Sequence, residues 1–401
     1  VIALYPNWQG LCKQAYEIRR YTFENLDRLL AQLSERLKSR GVKVFYAEGA
    51  QDACDYVLKV IQNEAPAPVV KSKSMTTEEI CLREYLQWHG IEVYETDLGE
   101  FIIQLAGEAP SHLTAPAIHK SRDQIGRLFC NSLHVPYTED PSKLVQIARE
   151  FMREKFLSAR VGITGANFAV AQSGTLVIVE NEANARLSMS LPKVHVAIIG
   201  IDKIIPTIQD ATLLLRLLIP SATGQKITSY ISFVQGPDKD TQPDGPHQMH
   251  VVILDGGRRA ILKDPKLRQV LYCIRCGGCL NICQIYNIVG GHGYGGIYPG
   301  PIGSLFMPLM DETKHRDLPF LSTLCGRCSE ICPVGIKLHH LLPILRARLR
   351  RRRKVWWHTG ILKTWFMIMS SFQLYRMVSA LARIFALPVA HRSFHQKWHE
   401  L

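Results

Sequence analysis

Leucines at positions 26, 29, 30, 33 and 37 recur at the spacing of one helical face, and Gly41 follows as a C-terminal cap, so the pattern predicts one amphipathic helix over residues 14–40. The apolar run Val42–Ala47 then reads as a strand. Helical and strand periods continue to alternate: a helix near 50–62, a strand at Val69–Val70, and a helix opened by Thr76 with Glu79 as its capping-box partner. Gly90 stops that helix, and Ile91–Thr96 returns as a strand. Asp140–Pro141 starts a long helix, while Val161–Thr164, Thr175–Val179, Val194–Gly200 and Met249–Leu254 read as buried strands. Such alternation predicts an open α/β layer with a largely parallel sheet, divided into a lead-in over residues 1–62 and a main α/β domain over 63–258.

The pattern breaks after Gly256–Gly257. Residues 259–345 hold seven of the eleven cysteines in two short runs: Cys273, Cys276, Cys279 and Cys283 as C-x2-C-x2-C-x3-C, then Cys325, Cys328 and Cys332–Pro333. The first run has the bacterial ferredoxin spacing, whose fourth cysteine serves the neighbouring cluster. By that rule Cys332 joins Cys273, Cys276 and Cys279 around one four-iron cluster, and Cys283 joins Cys325 and Cys328 at a second. The register places Ser322 where the second site's fourth thiolate belongs, and Gln284 where a proline usually follows the fourth cysteine. Three forms satisfy that second site: a [3Fe–4S] cluster, a [4Fe–4S] cluster with Ser322 or an outside ligand, or a [4Fe–4S] cluster with an open iron. Zinc fits poorly, because seven cysteines at these spacings do not divide into closed tetrahedra. Between the runs lie Gly290–Gly291–His292–Gly293–Tyr294–Gly295–Gly296 and Pro299–Gly300–Pro301, a stretch read as an ordered loop folded against the clusters with N–H groups aimed at sulfur.

At 47% hydrophobic and 21% charged residues the composition is that of an ordinary globular chain. Its net charge of +13 is concentrated near the C-terminus, in Arg346, Arg348 and the unbroken run Arg350–Lys354. Residues 346–401 form a basic, aromatic helical tail with Trp356, Trp357, Trp365 and Phe366, interrupted by Lys363, Arg376 and Arg383 before any membrane-spanning length is reached. Two readings of it stand level: a helix packed on the protein's own core, or one lying on a membrane surface or in a partner's groove. One basic run without a binding motif argues against a nucleic-acid partner. Scattered Cys12, Cys54, Cys81 and Cys130 and the absence of a secretion signal suit a reduced cytoplasmic protein, while the opening Val1 suits a fragment or processed chain.

Polar segments fall where strands should end, the usual place for ligands in open α/β sheets. Lys71 and Lys73, beside Ser72 and Ser74, suit a carboxylate or phosphate. Asp97, Asn167, Glu180 and Glu182 suit the orientation of a hydroxyl or the acceptance of a proton. Neither G-x-G-x-x-G nor G-x-S-x-G occurs in a suitable setting, so no nucleotide cofactor is indicated and no catalytic residue is singled out.

The segments Lys71–Ile80, Glu95–Glu100, Pro110–Leu113 and Thr164–Ala169, with both cysteine runs, the Gly290–Gly303 loop and Ser322, resemble the LUD domain and ferredoxin-type domain of the lactate-utilisation protein B family over nearly all of residues 20–345. The resemblance implies an α/β LUD domain similar to the sugar-phosphate isomerase and CoA-transferase superfamily, followed by an α-helical, loop-rich two-cluster domain. It further implies a cytosolic iron–sulfur subunit that works with A-like and C-like sister proteins in oxidising L-lactate to pyruvate, with only Cys283, Cys325 and Cys328 at its second cluster. Two departures are Ala183 and Ala185, where the family usually has glycine, and a tail shorter than usual. Three functions compete: an electron relay within a lactate-oxidising complex, a catalytic subunit whose open iron near Ser322 acts as Lewis acid, and a non-enzymatic redox or metabolite sensor.

Overall fold

The N-terminal leucine face forms two helices, not one. Trp8–Glu24 and Leu26–Ser39 break at Asn25, whose φ of −118° and ψ of 20° leave the helical range. The Asn25 amide donates to the Tyr21 carbonyl at 3.0 Å, the local side-chain bond that makes asparagine a poor helix interior. Leu26, Leu29, Leu33 and Leu37 are buried as the spacing requires, and Gly41 follows the second helix at φ +81°. The computed structural model describes residues 5, 7–237, 245–352 and 356–381. The chain divides into two compact units, Val1–Arg346 and Ala347–Leu401.

Ten strands follow one another within the first unit: β1 (Lys43–Ala47), β2 (Val69–Lys71), β3 (Val93–Glu95), β4 (Val161–Thr164), β5 (Phe168–Val170), β6 (Thr175–Glu180), β7 (Val194–Gly200), β8 (Ile204–Ile205), β9 (Tyr230–Val234) and β10 (Gln248–Leu254). Six of them make one sheet in the order β1-β10-β7-β4-β2-β3, parallel throughout. Burial on both faces explains the largely apolar runs of β4 and β7, whose polar members Thr164 and His195 pair with each other at 2.8 Å. Helices Ala50–Gln62 and Leu82–Trp88 cover one face through Val57, Ile61 and Leu86, and helices Leu98–Ala106, Arg122–Leu133 and Pro141–Ser158 form a second core with Val70, Phe101 and Phe129. The remaining strands build a smaller mixed sheet, β8-β5-β6-β9, that the alternation does not anticipate. β6, read from sequence simply as a buried strand, belongs to this second sheet.

Two local expectations change. Ser74, not Thr76, caps the helix Met75–Glu79, accepting the Thr77 N–H at 3.4 Å, while the Thr77 hydroxyl donates back to the Ser74 carbonyl. Ala183 sits at φ +60°, the left-handed conformation that glycine adopts freely, at the cost of alanine strain. Ala185 carries no such strain and lies within the helix Asn184–Ser190.

Beyond β10 the described chain contains helices and turns and no strand, the helices short up to Leu338–Arg352, which spans 15 residues. Within the second unit, Trp356–Ser370 is helical, as are residues 372–381. Among the described residues no helix is long and apolar enough to cross a membrane.

Candidate iron–sulfur centre and adjoining cavity

Both cysteine runs fold into the same turn. In the first, the Arg275 N–H donates to Cys273 Sγ at 3.3 Å; in the second, the Leu324 N–H donates to Ser322 Oγ at 3.1 Å. Arg275 and Leu324 stand at φ +61° and +60°, and the glycines two residues later, Gly277 and Gly326, at +76° and +87°. Left-handed residues two positions apart curl the backbone tightly, as in the alternating conformations of an anion-binding nest. A helix of 4 residues follows each turn, Gly278–Asn281 and Arg327–Glu330. Ser322 therefore occupies the backbone position that Cys273 occupies in the first turn, as the register anticipates.

Cys273, Cys276, Cys279 and Cys332 line one apolar cavity together with Leu113, Ile302, Val334 and Ile336. Their sulfurs receive backbone N–H groups: Ile336 donates to Cys332 at 3.4 Å, and Ile302, in the first turn of the helix Gly300–Met310 that closes the glycine-rich stretch, donates to Cys279. Burial pushes the Cys332 thiol up to about 12 and raises Cys276 and Cys279 as well, because an uncompensated thiolate is costly in an apolar enclosure. Such a set of soft donors, enclosed and supplied with N–H groups, fits an iron–sulfur cluster, whose net negative charge the amides offset. Cys283 and Cys325 form a second group with Cys328, near enough for their charges to bear on its thiol, and Cys325 is exposed. The Tyr294 hydroxyl hydrogen-bonds Cys283 and feels the charge of Cys279, which sets that buried ring between the two groups.

The glycine-rich loop is ordered against the α/β domain. A Cβ on Gly291 would meet the Ser111 carbonyl oxygen at 1.7 Å, so only glycine permits this approach. Tyr286 donates to the same carbonyl at 2.7 Å, His112 meets Asn281 at 3.0 Å, and the His292 ring meets the Ala109 carbonyl at 2.7 Å. The Pro110–Leu113 segment thus serves as the face on which the cysteine-rich region docks.

A second cavity of about 290 Å³ opens at the carboxyl ends of β2, β3, β4 and β7. Lys73, Asp97, Asn167, Glu180 and Glu182, five of the six site residues proposed from sequence, line it. Asp97 also caps Leu98–Ala106, accepting the Glu100 N–H at 3.0 Å. Asn167 Oδ1 accepts the Val179 N–H at 2.8 Å, and Glu182 accepts the Leu98 N–H at 3.1 Å. Burial first, then the Asp97 charge, raises the Glu182 pKa. Lys71, the sixth, does not line the cavity: its fully buried ammonium is held by Glu78 at 2.9 Å and Glu95 at 2.8 Å. Beside them, burial and the charges of Glu95 and Glu78 push the Glu100 carboxyl up to about 8.

Sequence reading missed the cavity's other cations, Lys203 and Arg275. Enclosure pulls the Lys203 ammonium down to about 8 against the attraction of Asp202, while Arg275 and Arg19 act with the enclosure. Arg275 was visible only as a cation placed inside a cysteine turn. Its Nη2 lies 3.5 Å from Asp202, and its guanidinium stacks over Phe306 at 4.3 Å and Tyr298 at 4.5 Å. Asp202 also receives Arg258 Nε at 2.5 Å, and Arg258 grips Glu79 through two bonds of 2.8 and 2.7 Å. Tyr298 donates to Glu79 at 2.9 Å, completing a buried network that fastens the cysteine-rich region to the ends of the sheet strands. Arg19 adds a tether, donating to the carbonyls of Asp202, Ile204, Leu271 and Tyr272.

The profile of the LUD domain matches residues 30–254, and that of the 4Fe-4S dicluster domain matches residues 269–336. The chain is 46% identical over 337 residues to "Lactate utilization protein B" of Bacillus cytotoxicus (strain DSM 22905 / CIP 110041 / 391-98 / NVH 391-98), covering 84% of this chain and 71% of that relative. It is 43% identical over 385 residues to the protein of the same name from Bacillus cereus (strain AH820), covering 94% and 80%. A solved DUF162 family protein from Deinococcus radiodurans aligns over 57% of this chain and 98% of its own at 11% identity and a TM-score of 0.33, a likeness too distant to argue from. By its domain content and by identity sustained across both domains, the chain belongs to the lactate utilization protein B family.

Proposed function

We propose that this chain is the electron-carrying subunit of a system that oxidises L-lactate to pyruvate, acting with A-like and C-like sister subunits. Cys273, Cys276, Cys279 and Cys332 hold a [4Fe–4S] cluster in this reading, and Cys283, Cys325 and Cys328 hold the second, with Ser322 at the fourth position. The observation that carries it is the interleaving: Cys332, from the distant run, lines one cavity with the first three cysteines, while Cys283 groups with Cys325 and Cys328.

Oxidation of a 2-hydroxy acid releases two electrons and two protons, and each iron–sulfur cluster, when bound, takes one electron at a time. The residues supply what such a relay needs. Leu113, Ile302, Val334 and Ile336 exclude water from the first group, and the Ile302 and Ile336 amides offset its negative charge. Exposed Cys325 puts the second group at the surface, where a partner protein can receive electrons. Anaerobically purified chain should contain acid-labile sulfide with about seven to eight irons; each [4Fe–4S] cluster should give a paramagnetic signal on reduction, and a [3Fe–4S] cluster should give one in the oxidised protein. Colourless protein holding zinc refutes the proposal.

A further inference from the structure

Three side chains outside both cysteine groups and the strand-end cavity converge where the glycine-rich loop meets the α/β domain. Glu108 and His119 come from the stretch between the helices Leu98–Ala106 and Arg122–Leu133, and His292 opens the short turn His292–Tyr294 of the loop. A carboxylate oxygen of Glu108 and one nitrogen of each imidazole lie within 4.8 Å of one another. His119 Nε2 is 2.7 Å from Glu108 Oε2, and the two rings stand edge to face with centroids 4.6 Å apart. The approach is built into the backbone, since Gly291 meets Ser111 too closely for any side chain and Tyr286 bonds the same carbonyl.

Each ring is already oriented through its other nitrogen. His292 Nε2 faces the Ala109 carbonyl at 2.7 Å; a carbonyl only accepts, so Nε2 carries the proton and Nδ1 keeps its lone pair. When the Ser111 hydroxyl donates to the Pro116 carbonyl at 3.0 Å, it accepts from His119 Nδ1 at 2.9 Å, and His119 Nε2 turns a lone pair toward the carboxylate. Two lone pairs so placed call for a cation between them. An imidazole that donates its outer N–H to a backbone or side-chain oxygen is the usual form of a metal-ligating histidine. Lys120 bonds the other oxygen of Glu108, which leaves Oε2 as a single donor.

We propose that Glu108, His119 and His292 bind one divalent transition-metal ion of the zinc type, which clasps the glycine-rich loop to the α/β domain. Two imidazoles and one carboxylate form a donor set that suits such an ion and not magnesium, which prefers oxygen alone. Bonds of about 2.0–2.2 Å place tetrahedral ligands about 3.4 Å apart, so the His119–Glu108 pair opens slightly and His292 closes. Both histidines are exposed, which leaves a path of entry and coordination positions open to water. Tyr294, two residues beyond His292, hydrogen-bonds Cys283, so the clasp would steady the loop that carries this contact. The site is independent of whether the clusters relay electrons.

The test uses the full chain purified anaerobically with its iron counted, then given zinc chloride or magnesium chloride. One zinc per chain should be retained in addition to the iron, magnesium should not, and X-ray absorption at the zinc edge should show nitrogen and oxygen neighbours at about 2.0–2.2 Å without the sulfur shell of a cysteine site at about 2.3 Å. H292A should weaken zinc binding at least about 10- to 100-fold at unchanged iron content, the loss that removing even an orienting partner causes. If H292A does not load iron, E108Q decides. Amides of Gly290–Gly296 should exchange more slowly with zinc bound. Zinc that washes off, a sulfur shell, H292A or E108Q binding zinc as the native chain does, or loop exchange indifferent to zinc overturns the inference; the first of these would mean that His119 simply accepts from Ser111 and donates to Glu108. Protein that never loads iron overturns the relay, whereas iron-loaded protein that retains no zinc overturns only this site.

Discussion

Arg258→Met tests the buried network that joins the two halves of the first unit. Arg258 is 1% exposed and neutralises Asp202, also 1% exposed, and Glu79 at 12%. Methionine keeps the volume but leaves two enclosed carboxylates without their main cation, a change that costs about 3–5 kcal/mol. Arg275 remains 3.5 Å from Asp202 and Tyr298 still donates to Glu79, which places the cost toward the lower end. At about 2.1 cal/mol/K per residue, the 346-residue unit unfolds with an entropy of about 0.7 kcal/mol/K, so the loss corresponds to a fall in Tm of about 4–7 °C. The assay is anaerobic thermal unfolding between pH 5 and pH 8. In the native protein Arg258 and Arg275 overcome burial to hold Asp202 well below the ordinary carboxylate range. Its contribution is therefore complete above the unfolded-state pKa and is lost only in strong acid. In the variant the orphaned carboxylates take up protons more readily when folded than when unfolded, so the deficit shrinks as pH falls from 8 to 5. A fall smaller than about 1.5 °C, or a deficit that widens toward pH 5, refutes the assignment of Arg258 as the keystone of this network.

Three other outcomes follow from the same geometry. Ser322→Cys supplies the missing thiolate at the backbone position that mirrors Cys273, so iron content should reach about eight per chain with electron relay retained; abolished lactate oxidation at full iron content would instead favour chemistry at an open iron. Cys332→Ser should remove about four irons and one paramagnetic signal while Cys283→Ser perturbs the other, and loss of the same signal in both variants would refute the pairing. Ala183→Gly removes left-handed strain of about 1–2 kcal/mol at an entropic cost of about 0.5–1 kcal/mol, so Tm should rise by about 1 °C, and a fall would show the strain to be relieved elsewhere.

What the sequence made legible was what local rules govern. β4 and β7 match their apolar runs residue for residue, because a strand buried on both faces leaves a continuous signature. The cysteine register was legible for a similar reason: ligand spacing is short-range geometry. β5 and β8, of 3 and 2 residues, carry no period, so the second sheet could not be read. The break at Asn25 lost out to a leucine face that continues through it. Lys71 and Lys73 look alike in sequence, yet β2 turns one toward Glu78 and Glu95 and leaves the other at the cavity. Lys203 and Arg275 meet only because the end of β7 and the cysteine turn approach in space, and nothing near either residue announces that approach.

The cysteine-rich region has too little regular structure to stand by itself. Its helices Gly278–Asn281, Gln284–Val289, Gly300–Met310 and Arg327–Glu330 span 4, 6, 11 and 4 residues, all shorter than the roughly 12–15 at which an isolated helix becomes even marginal. Its interior includes Cys276, Cys279 and Cys328, which under the proposed assignment act as thiolate ligands with iron and as neutral thiols without it. Metal binding and folding are then one free energy for this region. Contacts to the α/β domain at Ser111, His112 and, through Tyr298, Glu79 hold its margin but do not replace crosslinks through its centre. Anaerobic chelation should therefore make amides of residues 269–336 exchange rapidly, while β4, β7 and β10, buried in the parallel sheet, keep their protection in hydrogen-exchange mass spectrometry. Retained protection across 269–336 after iron loss would mean that apolar packing alone holds these turns, and collapse of the sheet strands at the same chelator concentration would mean that the whole first unit folds only around its metal.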